Sequence, residues 1–116
     1  MKYKAIDLFC GCGGLSAGLQ DAGFEILAGI DIEKNYIQTF NENFPNSLSI
    51  CEDLSKIEPK EILKKLNLKV GQLDLLAGGP PCQGFSKNTP RRQRQLNSDN
   101  NILVHTFLDY CEKILP

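Results

Sequence analysis

Four short apolar runs, each followed within a few residues by glycine, aspartate or proline and separated by helix-period segments, constrain this chain more than any other feature. Ala5-Ile6-Asp7-Leu8-Phe9 reads as a buried strand stopped by Gly11, Gly13 and Gly14. Leu15, Leu19 and Ala22 then recur at helical spacing, with Gly23 as a cap. Ile26 to Ile30 reads as a second strand, and the helix after it carries Tyr36, Ile37 and Phe40 and ends before Pro45. Leu48-Ser49-Ile50 reads as a third strand. Pro59 suits the first turn of a third helix that buries Ile62, Leu63 and Leu66. Leu73-Asp74-Leu75-Leu76-Ala77 is the fourth strand and runs into Gly78-Gly79-Pro80-Pro81. A last helix from about Asn101 turns Leu103, Phe107, Leu108 and Cys111 inward.

Strands alternating with helices in this way imply right-handed βαβ crossovers. The expected fold is therefore α/β, a Rossmann-like parallel sheet with helices on both faces. In such sheets ligands bind beyond the carboxyl ends of the strands, near the point where strand order reverses. The glycine cluster, Asp31, Asp53 and Pro80-Pro81-Cys82 all follow predicted strands, which points to one site.

Composition narrows the functions. With 116 residues the chain has room for one domain and one core. A net charge of -1 excludes a globally basic nucleic-acid binder but not a local basic patch. Such a patch falls between residues 83 and 101, where Arg91, Arg92 and Arg94 accompany only Phe85 and Leu96 as large apolar residues. That stretch reads as a mobile surface loop. No apolar run approaches the roughly 20 residues that cross a bilayer, and Asp7 interrupts any signal-peptide core, so a membrane partner and secretion are not expected. Five cysteines without a secretion signal suit a reducing, cytoplasmic setting. Zinc is a poor reading, because His105 is the only histidine and Cys10-Gly11-Cys12 has one intervening residue. Most of the thiols are expected to be small buried hydrophobes.

Phe9-Cys10-Gly11-Cys12-Gly13-Gly14 lets the backbone approach a ligand and turn into a helix N-terminus, although a tight turn without a ligand has the same sequence. Asp31 lies twenty residues after Gly11, the offset at which an acid accepts hydrogen bonds from ribose hydroxyls. An adenosine-type ligand follows from the pair. Ser16 occupies the third small position of the dinucleotide fingerprint, so these residues leave NAD open. Asp53 reads either as an acceptor for an adenine amino group or as a loop aspartate. Cys82, fixed behind two prolines and followed by Gln83, Gly84 and Ser86, fits an accessible nucleophile.

Two blocks, Asp7-Leu8-Phe9-Cys10-Gly11-Cys12-Gly13-Gly14 and Gly79-Pro80-Pro81-Cys82-Gln83-Gly84-Phe85-Ser86, resemble the cytosine-5 methyltransferases. Gly29-Ile30-Asp31 and Cys51-Glu52-Asp53-Leu54 fit that family's intervening blocks in order and spacing. The resemblance implies S-adenosylmethionine as methyl donor, with S-adenosylhomocysteine as product. Phe9, Gly11, Gly13 and Gly14 would hold the donor, and Asp31 would take its ribose. Ile32 and Leu54 would sandwich the adenine, Asp53 would reach its amino group, and Gly79, Pro81 and Leu103 would complete the pocket. Cys82 would add to C6 of a cytosine flipped out of double-stranded DNA, with Gln83, Ser86, Arg91, Arg92 and Arg94 contacting that DNA. Gln83-Gly84-Phe85-Ser86 is closer to the DNA enzymes than to the tRNA-acting branch, which usually reads Pro-Cys-Gln-Pro-Phe-Thr. The other alternative is a cofactor-binding module without activity.

On this resemblance residues 1–116 form the N-terminal part of a catalytic domain. Donor-binding blocks would occupy 5–54, the nucleophile block 78–86 and the mobile loop 83–100. Asn100 stands where the family often has an arginine, which bears on the ordering of that loop. The family's Glu-Asn-Val block, whose glutamate bonds cytosine N3, does not occur in the 116 residues. The chain is thus expected to be a fragment or one half of a split enzyme. Its partner would be a complementing C-terminal chain, or a second copy joined through the open edge of a four-stranded sheet.

Overall fold

The computed structural model describes residues 2–79 and 99–116. Strands β1 (Tyr3–Leu8), β2 (Phe24–Asp31), β3 (Leu48–Cys51) and β4 (Leu75–Gly78) alternate with helices α1 (Gly14–Asp21), α2 (Lys34–Asn43), α3 (Pro59–Lys65) and α4 (Asp99–Ile114). A 3₁₀ turn at Leu54–Lys56 precedes α3. All strand pairs are parallel, in the order β3-β2-β1-β4. The chain starts inside its sheet, steps outward twice, then crosses to the other side of β1. Strand order therefore reverses between β1 and β4, the place where such sheets open a crevice.

Strand alternation sends side chains to two separate apolar clusters. Ile6 and Leu8 of β1 meet Ala28, Ile30, Leu76, Ile62, Leu63, Tyr110 and Ile114 on the α3/α4 side. Ala5 joins Ile26, Ile37, Phe40, Phe44 and Cys10 on the α1/α2 side. Pairing skips one residue of β2, since Ala5 faces Ile26 but Ile6 faces Ala28. Leu27 is the extra residue of this bulge, so Leu27 and Ala28 both serve the α3/α4 cluster. Helices on both faces agree with the expected architecture, but there are two clusters rather than one core.

The α1/α2 side is built by fitting aromatic rings onto glycines. A methyl group on Gly29 would overlap the ring of Phe40, and one on Gly13 would lie 2.6 Å from the ring of Phe44. The two rings stack at 4.8 Å between centroids. Pro59 occupies the first turn of α3, as its missing N–H allows.

Several expected positions shift. β4 runs Leu75–Gly78 rather than 73–77, and α4 starts at Asp99, inside the span read as loop. Leu108 is 56% exposed, because the inward stripe of α4 follows Leu103, Phe107, Tyr110 and Ile114. One position past Phe107 rotates a side chain about 100° away from that stripe. Leu15 is likewise exposed, and Ser16 is the buried residue of α1. Of the four described cysteines only Cys10 is buried, Cys111 is half-buried, and Cys12, in the glycine turn, and Cys51, the last residue of β3, are exposed. Among the described residues no helix is long and apolar enough to cross a membrane, and no group of three or more His, Cys, Asp or Glu could hold a metal ion.

Candidate functional site

A cavity of about 310 Å³ opens beyond the carboxyl ends of the strands. Each strand contributes residues at or just beyond its end: Phe9 and Gly11 from β1, Ile30 to Glu33 from β2, Glu52 to Leu54 from β3, and Gly79 from β4. Leu103 of α4 and Tyr36 of α2 complete the walls. Of the sequence-predicted cofactor residues, the structure thus brings together Phe9, Gly11, Asp31, Ile32, Asp53, Leu54, Gly79 and Leu103. Gly13 and Gly14 stand apart from the lining. Pro81, Cys82, Gln83, Ser86, Arg91, Arg92 and Arg94 lie outside the described residues.

The glycine turn is fixed from below and beside. Phe9 takes a left-handed φ of 55°, which costs a non-glycine residue about 1 kcal/mol. The next N–H, that of Cys10, donates to the Ile30 carbonyl at 2.9 Å and so re-enters the sheet register. Gly11 at φ 55° has nothing within 4 Å of an added methyl, so its bare backbone faces open cavity. Asp31 ties this turn to β2. Its Oδ2 accepts the Gly11 N–H at 2.9 Å and its Oδ1 accepts the Glu33 N–H at 2.8 Å.

Asp53 both lines the cavity and caps the 3₁₀ turn. Its Oδ1 accepts the Ser55 N–H at 2.9 Å and the Ser55 hydroxyl at 2.7 Å. These hydrogen bonds to Ser55 hold the Asp53 carboxyl below the usual carboxylate range. The two sequence readings of Asp53 are therefore compatible. The backbone of the same turn is pinned by Tyr110, whose hydroxyl is shared between the carbonyls of Leu54 at 3.0 Å and Ile57 at 2.7 Å. Burial pushes the Tyr110 hydroxyl well above its ordinary value, so it remains a donor.

Beneath the glycine turn sits a buried polar pair that the sequence reading missed. Asp7, 1% exposed, accepts the Ser16 hydroxyl on Oδ2 at 2.6 Å, while its Oδ1 has no partner. Burial raises the Asp7 carboxyl above its ordinary value, the Ser16 bond opposes this, and the Asp31 charge adds to it. Burial, with the nearby Asp7 and Asp31 charges, likewise pushes the Cys10 thiol up to about 12. Cys10 is therefore a packing group and a poor nucleophile. An aspartate inside an otherwise apolar run was the available signal for the buried pair, and a serine one place after Leu15 its partner.

Ile32 (63% exposed) and Tyr36 (49% exposed) stand four residues apart at the cavity mouth and present apolar surface. The carboxylates of Asp31, Glu33, Glu52 and Asp53 and the apolar side chains of Phe9, Ile32, Tyr36 and Leu54 line the same cavity. Fold and cavity together define an α/β domain with a cavity at a strand-order reversal, where open parallel sheets place their ligands. The family model for C-5 cytosine-specific DNA methylases matches residues 3–116, and the chain belongs to that family.

Its relatives include the Type II methyltransferase M.AgeI of Thalassovita gelatinovora, 38% identical over 97% of this chain and 26% of the relative. Another is DNA (cytosine-5)-methyltransferase 1 of Mus musculus, 36% identical over 99% of this chain and 8% of the relative. A crystal structure described as a prophage-encoded DNA modification methyltransferase from E. coli superposes with a TM-score of 0.81 at 34% identity. It is matched over 99% of this chain and 30% of that one. A Spodoptera frugiperda DNMT2 mutant shares the fold at TM-score 0.58 and 22% identity, over 97% of this chain and 41% of that one. The chain thus spans 26% of the length of bacterial curated relatives such as M.AgeI and M.XorII.

Proposed function

We propose that this chain is the donor-binding and nucleophile-bearing part of a DNA cytosine-5 methyltransferase that uses S-adenosylmethionine. The observation that carries the reading is the convergence of Phe9, Gly11, Asp31, Ile32, Asp53 and Leu54, distant in sequence, on one cavity. Asp31 sits where the ribose hydroxyls of an adenosyl group would be met, and Ile32 and Leu54 flank the slot for its base. Asp53, capped by Ser55, keeps an ionised acceptor for the adenine amino group. When bound, the donor supplies an electrophilic methyl group.

Cys82 is the proposed nucleophile. Its sulfur forms a bond to cytosine C6 as the C5–C6 π electrons move to C5, which can then take the methyl group. Loss of the C5 proton to water and departure of the sulfur as thiolate restore the ring and the nucleophile. Cytosine C5 is otherwise too weak a nucleophile for this transfer. Flipping is required because the base is unreachable inside a duplex. Gln83, Ser86, Arg91, Arg92 and Arg94 are proposed to meet the DNA. The block order from 5–54 through 78–86 supports assigning residues 1–116 to the N-terminal part of the catalytic domain.

Two measurements test the reading. Labelled S-adenosylmethionine should bind the chain, and Asp53→Ala should weaken that binding about tenfold. With the donor and DNA carrying 5-fluorocytosine, a denaturant-resistant adduct should form and should disappear in Cys82→Ser. Absence of donor binding would overturn the site, and an adduct persisting in Cys82→Ser would overturn the nucleophile. Donor binding with no adduct would instead assign a cofactor-binding module.

A further inference from the structure

We infer that a lysine-rimmed trough at the C-terminal end of α3 is a second contact for the phosphate backbone of duplex DNA, at the end of the sheet opposite the cavity. The inference rests on the reading of DNA as the macromolecule this chain meets. It adds a surface distinct in sequence from Gln83 to Arg94.

Five of the ten lysines fall within residues 56–69, with Glu58 and Glu61 as the only acids there. Lys60, Lys64 and Lys69 line an open trough of about 570 Å³ together with Asn67, over a floor of Leu63 and Leu68. None of the residues that line it is acidic. Among the described residues the one ion pair joins Lys113 to Asp109, so no described carboxylate neutralises these ammonium groups.

The trough is made by the way α3 stops. Asn67 takes a left-handed φ of 56°, its N–H donates to the Lys64 carbonyl at 3.1 Å, and the Leu68 N–H donates to the Leu63 carbonyl at 2.9 Å. This Schellman pairing folds residues 68–70 back beside the helix and sets Lys69 in one trough with Lys60 and Lys64. Because α3 leaves the carboxyl end of β3 and returns to the start of the parallel strand β4, its last turn lies at the far end of the sheet from the cavity. There the Gly71 N–H donates to the Ile114 carbonyl at 3.0 Å, and the Asp74 N–H to the Lys4 carbonyl near the start of β1 at 3.1 Å.

Helix support accounts for only part of this charge. Lysines in a last turn complement the helix dipole, which covers Lys64 and Lys65. Lys60 stands in the first turn, the wrong end for a cation, and four residues before Lys64, where like charges repel. Lys69 lies beyond the helix. Charge kept against local helix preference fits a binding role. A rim of donors over a concave floor suits the ridge of a polynucleotide backbone, whose phosphates accept lysine contacts whatever the sequence. A membrane surface would instead call for protruding apolar side chains, and of the apolar lining only Val70 is exposed, Leu63 being buried and Leu68 half-buried.

The test is binding of a labelled duplex of A·T pairs only, which offers no cytosine to Cys82, followed by fluorescence anisotropy across a salt series. Lys60→Gln combined with Lys69→Gln removes the two lysines that do not support α3 through its dipole. It should weaken binding at least about fivefold at low salt and lower the slope of log affinity against log salt by about 2. Lys2→Gln combined with Lys113→Gln, equal in charge and outside the trough, should weaken binding less than about twofold. Duplex should also protect Lys60, Lys64 and Lys69 of the wild type from chemical acetylation, read by peptide mass spectrometry. Equal losses in the two double variants, or trough lysines left unprotected, overturn the trough as a DNA contact while leaving the methyltransferase reading standing. If the Lys60 and Lys69 variant loses binding to vesicles of phosphatidylserine and phosphatidylcholine in equal parts but keeps duplex binding, DNA is overturned as the occupant. Failure of the wild type to bind any duplex overturns the DNA reading itself.

Discussion

The two sides of the sheet support the same cavity by different means. On the α1/α2 side, Phe40 and Phe44 lie on Gly29 and Gly13, and the one buried charge-bearing group among the described residues is bonded to a side chain, Asp7 to Ser16. On the α3/α4 side the cluster is mainly aliphatic, and its buried hydroxyl, that of Tyr110, grips backbone carbonyls of the turn that carries Leu54. One side gains close packing by omitting side chains. The other fixes a loop by satisfying main-chain acceptors. The difference teaches where each side is vulnerable: the first to added volume, the second to a lost hydrogen bond.

The largest effect should come from adding volume to the first side. Gly29→Ala forces the buried Phe40 ring off the sheet and should cost about 3 kcal/mol in unfolding free energy, read by urea denaturation. A cost under about 0.5 kcal/mol would show that the ring-over-glycine contact is not what sets this side. Removing the hydroxyl on the other side should cost less. Tyr110→Phe leaves the Leu54 and Ile57 carbonyls short of a donor and should destabilise by about 1–2 kcal/mol, with weaker donor binding as the turn loosens. Unchanged stability and binding would remove the contrast between the sides.

A smaller effect, and one that depends on pH, is expected at Asp7. Its carboxyl is raised in the folded protein, so the folded state holds that proton more tightly than the unfolded chain does. Stability from this group is fully present below the ordinary carboxylate range and is lost as pH rises through the raised folded value. Asp7→Asn should flatten that fall, so the variant gains relative to the wild type as pH rises, measured by urea unfolding across a pH series. Parallel profiles would mean that the buried pair does not titrate. The smallest effect is at Leu108, where Leu108→Ser should change stability by no more than about 0.5 kcal/mol, because the side chain faces solvent.

Much of the cavity is legible in the sequence because its residues directly follow strands. In a parallel sheet every strand ends on the same side, so Gly11, Asp31, Asp53 and Gly79 are brought together by topology alone. Side-chain direction within helices is less legible. Leu108 and Leu15 fit an apolar period as well as Tyr110 and Ser16 do, and only the packing partner decides which of two adjacent stripes faces inward. Tyr36 and Glu52 were passed over for a related reason, since a helix tyrosine and a loop glutamate carry no local mark of lining a pocket.

What the sequence determined by itself is the order of elements and the chemistry after each strand: a bare glycine turn, an acid at residue 31, an acid at residue 53 and a cysteine behind two prolines. Periodicity and spacing are local properties, so they survive in one dimension. The tertiary structure decided that Gly13 and Gly29 make room for phenylalanine rings, that Asp31 ties the glycine turn to the start of α2, and that Tyr110 holds a turn more than fifty residues away. Those are contacts between segments remote in the chain, set by how two layers of helices close on a sheet, and no local pattern encodes them.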